Sequence, residues 1–448
     1  MLRALQVRVG ELLRPCPTHA RLVIMSQSTL HAAAYYPGAL LQQKQQQQQR
    51  TRAFHVDSSE LMIRPVGEGG LILRFGTEID LDANKKALSC LALLDKGSGT
   101  LGVLGGVTDI LPSYTSVMVH FDPTVVSRDQ VQEWCVSSAH RAIAGTLGAA
   151  STTPRTITIP VHYGGEDGPD TAEVMRLTGL GNAMDVAKAH YEGNYRVYFL
   201  GFTGGFPYLG GLPDVLASVP RLSTPRQIVP KGAVGIAAGQ TGVYTMNTPG
   251  GWHLLGKTSA PLFDPLQDPP ALLRAGDEIR FVPTDEPAPS EPEHENAPPP
   301  VAENPWVKVL APGPLSSVQD IGRQGYARHG VSRSGAADGL ALRMGNALLG
   351  NEPDAAALEV TLGGLKLRCL EPCSVALTGA DCSAKIQRLG RSTPITVRVN
   401  EAILLQPDDV LELGYAKDGA RAYRLPDQWK SCLFVSRNCK GLGFALRI

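Results

Sequence analysis

The stretch Gly201–Pro213, GFTGGFPYLGGLP, constrains this chain more than any other. Five of its thirteen residues are glycine and two are proline, with Phe202, Phe206 and Tyr208 set between them. Glycine admits positive φ and close backbone approach, while proline fixes φ and removes a donor. The run is expected to be a loop, neither a helix nor a central strand, with exposed N–H groups and aromatics walling a cleft. A tight structural turn between strands fits the same composition, because turns dominate glycine usage.

The 448 residues suggest two to four domains. Lys and Arg together number 42, as do Asp and Glu, and a formal charge of zero gives no basic field for nucleic acid. No apolar run reaches the length of a membrane span. Cysteines at 16, 90, 135, 369, 373, 382, 432 and 439 form no Cys-x-x-Cys pair and have no His at zinc-ligand spacing. They read as reduced thiols of an intracellular protein.

Residues 1–55 hold six Arg, one Lys and Glu11 as the lone acid, with a glutamine run to Gln49. An Arg-bearing, acid-poor leader over 1–60 reads as an organelle transit peptide or as a disordered extension. The expected location is cytoplasmic, or mitochondrial or plastid if the leader is a transit peptide. Order is expected from Leu61. Leu71–Phe75 and Tyr114–Phe121 read as strands, and Asp80–Leu94 as a helix with Leu81, Leu88, Leu91 and Leu94 on one face. Ser127 and Gln130 form a capping box before the helical face Val131, Trp134, Cys135 and Ala139. With Thr156–Val161 as a further strand, the order suggests a small α+β layer domain over 61–150, of split βαβ type.

Asp170 with Glu173 reads as a second capping box, and Ala183–Glu192 as a short helix carrying His190. Arg196–Leu200 is a strand that delivers the glycine-rich run. Many short segments follow, among them 227–229, 234–237, 242–244, 252–255 and 278–282, which predicts a small all-β barrel or sandwich over 151–285. Residues 283–305 contain eight prolines, six acids and no Lys or Arg, the composition of a stiff linker, assigned here to 286–305. A second glycine-rich module spans 306–424. Asp338 caps a helix with Leu340, Met344, Ala347 and Leu348 on one side, and strands follow at 358–362 and 374–377. Gly330–Gly335 has Walker-like glycine spacing but lacks the following Lys and Ser/Thr, and no other standard nucleotide or metalloprotease motif occurs.

Five motifs in order carry a family resemblance. They are Gly201–Pro213, Pro225-Arg226 with Val229-Pro230, Gly239–Tyr244, Pro249–Trp252 and Leu262–Pro265. This region resembles the B-type component of 5-oxoprolinase, also called the KipI or allophanate hydrolase subunit 1 type. Gly204 stands where that family usually has proline, and Lys257 where it tends to have arginine. After the linker, Val318–Gly325, Gly330–Ser332, Asp338, Asn346, Leu358-Glu359 and Leu377–Asp381 resemble the C-type component of 5-oxoprolinase, the KipA or allophanate hydrolase subunit 2 type. That likeness stops near Tyr423, about halfway through the family's domain, and 425–448 reads as a divergent tail of a truncated gene end.

The resemblance implies an α+β ferredoxin-like domain, a cyclophilin-like β-barrel, and a partial second cyclophilin-like β module. It implies an A-type 5-oxoprolinase subunit as partner, with a small lactam as substrate and ATP as cosubstrate. Mg²⁺ would accompany the nucleotide. The chain has no Met-Lys-Met, so no covalently bound biotin is expected; a homo-oligomer is left open. The reaction implied is opening of 5-oxo-L-proline to glutamate. A lactam is a resonance-stabilised amide, and phosphorylating its oxygen makes it an electrophile. That chemistry calls for N–H donors and cations around phosphate.

Gly201, Phe202, Gly205, Phe206, Tyr208, Gly210 and Gly211 are candidates to contact substrate or nucleotide, as are Gln240, Thr241 and Trp252. Arg226, Lys257 and Arg323 would supply charge. His190, Asp320, Asp338, Glu359 and Asp381 are the catalytic candidates, the four carboxylates as metal holders or proton acceptors. Each has a structural alternative: a core histidine, a packed tryptophan, loop-fixing arginines, a helix-capping Asp338, a turn-closing Asp381. Competing functions are the carboxyltransferase part of a urea carboxylase, in which the two modules come in the reverse order, and a non-catalytic KipI-like regulatory module or inactive fragment.

Overall fold

The computed structural model describes residues 56–57, 61–98, 104–145, 154–287 and 306–426. The leader, most of the linker and nearly all of the tail lie outside these residues. From Leu61 onward the described segments belong to one compact unit.

The first layer follows its alternating sequence. Strands Met62–Pro65, Gly70–Arg74, Ser116–Phe121 and Val107–Pro112 lie side by side and antiparallel. Alternation places Leu71, Leu73, Val117 and Val119 on one face, fully buried. Helices Leu81–Ser98 and Arg128–Ile143 pack there. The Ser127 capping box forms, with the Gln130 side chain accepting the Ser127 N–H at 3.2 Å. The first helix is rotated from the leucine pattern. It buries Ala83, Asn84, Ala87, Cys90 and Leu94, while Leu81 is exposed. Small side chains let the helix approach the sheet closely, and the Asn84 amide donates to the Tyr114 carbonyl at 2.8 Å.

Thr156–Tyr163 belongs to the barrel and not to this layer. It pairs in parallel with Glu278–Pro283 and antiparallel with His253–Lys257. The circuit continues through Ala233–Ala237, Gln240–Val243, Pro207–Gly210 and Tyr195–Leu200 back to Glu278–Pro283, closing seven strands. Ile159, Val161, Val197, Leu209, Val234, Ile236, Leu255 and Ile279 fill the interior. Helices Thr171–Thr178 and Ala183–Tyr191 add Val174 and Val186 to that core.

Two expectations fail here. Part of the glycine-rich run, Pro207–Gly210, is a barrel strand rather than loop, pairing with Tyr195–Leu200 and, at Leu209, with Thr241. Closure of the barrel overrides the low strand preference of Pro and Gly, and Pro207 sits at the strand's first position, where a missing donor is tolerated. Asp170 stands at the N-terminus of its helix but makes no side-chain cap. Its carboxylate instead accepts the Leu254 N–H at 2.7 Å and pairs with Arg226. Glu173 pairs with Arg176, one turn on. A partly buried cation and a barrel N–H outcompete the local cap.

The second module is a pair of facing sheets. One orders Val307–Pro312, Leu365–Cys369, Val410–Glu412, Lys385–Gln387 and Ile395–Thr396; the other orders Leu315–Gln319, Ala357–Thr361, Asp418–Pro426, Cys373–Asp381 and Glu401–Leu405. They share a core that includes Val360, Leu365, Leu367, Val375, Ile386 and Leu411. Among the described residues these sheets do not close into a barrel. The predicted helix forms over Gly339–Leu349 with Asp338 accepting the Ala341 N–H at 2.9 Å, yet its buried face is reversed. Ala341, Leu342, Gly345 and Asn346 point inward, while Leu340 and Met344 are exposed. The helix lies close enough for the buried Thr378 hydroxyl to donate to the Ala341 carbonyl at 2.7 Å, which favours small residues at the contact.

Candidate functional site

The turn Gly201–Phe206 sits at one end of the barrel, where three parts of the chain meet. Gly201 N–H donates to the Phe206 carbonyl at 3.1 Å, and Thr203 N–H donates to the Gly201 carbonyl at 2.7 Å. This geometry holds Phe202 at φ 65 with its side chain 58% exposed. A bulky non-glycine residue in that region is uncommon and is found where surrounding structure enforces it. The Thr245 hydroxyl donates to the Gly204 carbonyl at 2.7 Å and so ties the turn to the segment that follows strand Gln240–Val243. Gly205 N–H donates to the His329 carbonyl at 2.8 Å. The glycine-rich turn is thus an intramolecular docking surface for the second module.

That docking is reinforced from the first layer. Arg328 grips Asp95 with two hydrogen bonds of 2.8 and 2.9 Å. Asp109, 7% exposed, accepts N–H bonds from Gly325 at 2.9 Å and Ala327 at 3.4 Å. Burial pushes the Asp109 carboxyl above the usual range, against the lowering effects of those two N–H groups, His120 and Arg328. The Gln240 amide donates to the Tyr114 hydroxyl at 2.7 Å and joins the barrel to the same layer. Asp95, Asp109 and Arg328 were not among the sequence candidates. The one available signal was a charge at Asp109 inside the otherwise uncharged strand Val107–Pro112.

Of the aromatic candidates, Phe206, Tyr208 and Trp252 belong to a packed cluster, while Phe202 is exposed. Phe206 and Trp252 are 2% and 5% exposed and cluster with Tyr244 and Leu254, with Tyr208 packed against them. Tyr208 stacks on Phe199 at 4.6 Å. Gly210 faces the Tyr198 ring, where a Cβ would lie 2.1 Å from a ring carbon. Gly211, at φ 94, would place a Cβ 2.1 Å from the Asn194 carbonyl oxygen. Arg226 is engaged by Asp170 and the Trp252 carbonyl.

His190 is completely buried and lies in a chain of hydrogen bonds. Thr241 donates its hydroxyl proton to the Gly235 carbonyl at 3.0 Å. His190 Nε2–H therefore donates to Thr241 Oγ1 at 2.9 Å, and Nδ1 accepts from the Tyr163 hydroxyl at 2.8 Å. Burial drops the imidazole pKa to about 3. This is a neutral histidine with both nitrogens occupied, bridging a helix to the barrel.

The carboxylate candidates separate into two groups. Glu359 accepts from the Tyr423 hydroxyl at 2.6 Å and from Ala337 N–H at 2.8 Å, and faces Arg421 at 3.3 Å. Tyr423 in turn accepts the Asp338 N–H at 2.7 Å. Asp320 closes the neighbouring loop by accepting Gly322 N–H at 2.6 Å, while its carbonyl takes Ala336 N–H at 2.8 Å. Arg323 donates to the Ser332 carbonyl at 3.0 Å in the same loop. Asp381 lies apart, closing a turn through Ser383 N–H at 2.7 Å. Among the described residues no three His, Cys, Asp or Glu side chains converge as metal ligands. The described cysteines at 90, 135, 369, 373 and 382 are buried thiols that form no disulfide among the described residues.

Residues 61–273 match the model for the carboxyltransferase domain, subdomains C and D, and residues 329–425 match subdomains A and B. Across 226 residues the chain is 38% identical to the B-type component of 5-oxoprolinase from Bacillus subtilis, covering 91% of that protein and 49% of this chain. The chain belongs to the carboxyltransferase-domain family. Its second module is 44% identical over 80 residues to the C-type component of 5-oxoprolinase from Escherichia coli, covering 26% of that relative. The crystal structure of the protein TTHA0988 superposes with a TM-score of 0.65 at 31% identity, over 82% of this chain and 68% of that one. In this carboxyltransferase-domain chain, a B-type homologue therefore precedes a shorter C-type homologue. The contacts through Asp95, Asp109 and Gly205 are contacts between those two segments.

Proposed function

We propose that this chain is a component of an ATP-dependent 5-oxoprolinase, acting with an A-type subunit to open 5-oxo-L-proline to L-glutamate. The observation that carries the reading is a match over nearly the whole length of the B-type relative, with a C-type homologue packed against the glycine-rich turn. A closed barrel and a layer of two helices on a sheet are also what cyclophilin-like and ferredoxin-like domains would provide.

The division of labour follows from the backbone. Gly201 and Gly205 N–H groups, expected to cradle phosphate, are committed to Phe206 and His329 carbonyls. The A-type partner would then hold the nucleotide, and this chain would bind and orient the lactam. Phosphorylation of the lactam oxygen by ATP releases ADP. Water then adds to the activated carbon, the C–N bond breaks and the nitrogen takes a proton, which leaves an acyl phosphate; a second water hydrolyses that acyl phosphate and releases phosphate to give glutamate.

The test is ATP-dependent glutamate release from 5-oxoproline by the purified chain with and without a co-expressed A-type subunit. Turnover that requires both proteins is expected. No turnover by the pair would refute the function, and equal turnover by this chain alone would refute the need for a partner.

A further inference from the structure

The turn Leu370-Glu371-Pro372 carries the chain from one sheet of the second module to the other. Strand Leu365–Cys369 ends on one side of it and strand Cys373–Asp381 begins on the other. The turn brings two thiols together at the corner of the facing sheets, with Cys369 Sγ 3.9 Å from Cys373 Sγ. Strand pairing fixes the backbone of each. Cys369 lies opposite Val307, its N–H donates to the Asp409 carbonyl at 2.8 Å, and its carbonyl accepts the Asp408 N–H at 2.9 Å. Cys373 lies opposite Leu405.

A disulfide needs its sulfurs about 2.05 Å apart. Rotating χ1 of a cysteine to a neighbouring staggered well moves its Sγ by about 3 Å, more than the gap that remains. Both thiols are buried, whereas Glu371 and Pro372 in the turn between them are exposed. The turn is held at one point. Leu370 and Glu371 N–H groups both donate to the Trp306 carbonyl, at 2.7 and 3.3 Å, where the chain enters the module. The Cys369 thiol donates to the Glu371 carbonyl at 2.9 Å, so the same turn holds one of the two thiol protons. Local opening of this turn therefore loosens the thiol and its cover together.

Three other described thiols are held back as nucleophiles. Burial pushes the Cys90 thiol up to about 12 and raises that of Cys135 further, with Cys90 adding to the effect. Burial also raises the Cys382 thiol, and Asp381 adds to it. Only a thiolate attacks an oxidant, so these three are poor targets.

We propose that Cys369 and Cys373 are a reversible oxidation site, which takes a hydroperoxide as co-reactant and closes to a disulfide. The thiolate of one cysteine attacks the peroxide, the O–O bond breaks, and the departing oxygen takes the proton that the thiol released. The second sulfur attacks the resulting sulfenic acid. The S–S bond forms, the S–O bond breaks, and the hydroxyl leaves with the second thiol proton as water. Two thiols are oxidised and one peroxide is reduced. The bridge ties the two sheets at their shared corner and fixes the turn that holds Trp306. None of these groups takes part in the reaction proposed above.

The test uses the full chain, reduced, freed of reductant and treated with hydrogen peroxide under native conditions. Remaining thiols are blocked with N-ethylmaleimide. Trypsin then cuts after Arg368 and Asp-N before Asp381, so the peptide 369–380 carries Cys369 and Cys373 and no other cysteine. Mass spectrometry should find this peptide unlabelled and two hydrogens lighter than the dithiol, and dithiothreitol should restore two labelled thiols. The pair should close at least about tenfold faster than Cys90 or Cys135 loses its thiol. Amide exchange at Leu370 and Glu371 should slow about tenfold or more in the bridged chain. Cys369→Ser should leave Cys373 to form sulfenic and then sulfinic acid. Circular dichroism checks the fold, and Cys→Ala replaces a serine variant that fails to fold.

The proposal is overturned if the peptide keeps both labels, if either cysteine bridges to another part of the chain, or if the product is a sulfinic acid that dithiothreitol does not reverse. Loss of the Cys90 and Cys135 thiols at the same rate would also overturn it, because oxidation would then report global unfolding.

Discussion

Replacing Asp109 separates two contributions that this carboxylate makes to docking of the second module. It is 7% exposed and accepts from the N–H groups of Gly325 and Ala327 at 2.9 and 3.4 Å. Its pKa is raised by burial, so ionising it is disfavoured overall despite those two donors. The stabilising element is therefore the acceptor and not the charge. In Asp109→Ala both donors lose their partner inside the interface. An orphaned donor costs about 1–3 kcal/mol, and the longer Ala327 contact stands at the weak end, so the expected loss is about 2–4 kcal/mol. Asp109→Asn keeps an oxygen at the same place and avoids burying a charge, so its cost is expected within about 1 kcal/mol.

Urea unfolding measures the global loss, and amide exchange of the peptide over 322–331 measures local opening. In the alanine variant, exchange at Gly325 and Ala327 should accelerate about 30-fold or more, the equivalent of about 2 kcal/mol or above. The pH dependence has a definite sign. Because the folded pKa lies above the ordinary carboxylate value, the stability linked to Asp109 is fully present below that ordinary value and lost as pH rises through the folded pKa. The Asn variant should lack that decline. An alanine variant exchanging at the wild-type rate, or an Asn variant as damaged as the alanine one, would refute the reasoning.

Arg328→Ala removes a bidentate pair whose partners are about one-third exposed, so it should cost no more than about 1 kcal/mol in the same urea assay. Gly210→Ala would press a Cβ to within 2.1 Å of the Tyr198 ring, and a loss of about 1–3 kcal/mol is expected from overpacking, measured by urea midpoint and slope. His190, with its pKa depressed to about 3 by burial, must gain a proton on unfolding between about pH 6.5 and 3. Stability should fall across that interval on acidification, and His190→Asn, compared by thermal melts at several pH values, should show a flatter dependence. Tyr423→Phe deletes the hydroxyl that donates to Glu359 and accepts from Asp338 N–H; a loss of about 1–3 kcal/mol by urea unfolding is expected, with Glu359→Gln the milder variant.

Local physics was legible in the sequence, and partnerships across the chain were not. The Ser127 box and the Asp338 cap form as read, because a cap needs only a side chain and an N–H three residues on. Strands at Gly70–Arg74, Ser116–Phe121, Ala233–Ala237 and Glu278–Pro283 announced themselves by alternation or by short apolar runs between turn residues. The family, too, was carried by motifs that stand in the sequence.

What tertiary structure decided was which of several local options each residue takes. Asp170 could cap its own helix, yet its carboxylate goes to Arg226 and Leu254, brought beside it by barrel strands. Pro207–Gly210 lacks strand preference and becomes a strand because the barrel closes through it. Helix Gly339–Leu349 buries Ala341, Leu342, Gly345 and Asn346 and leaves Leu340 and Met344 exposed, a choice of face that its contact with the sheet decides. Phosphate-cradling N–H groups were a reasonable expectation for the glycine-rich turn, but the backbone of His329 occupies one of them. Asp109 and Gly325 are 216 residues apart and Asp95 and Arg328 are 233 apart, so no local pattern records their contact. A side chain's periodicity fixes the face it shares with its neighbours, and only the packed fold fixes what that face meets.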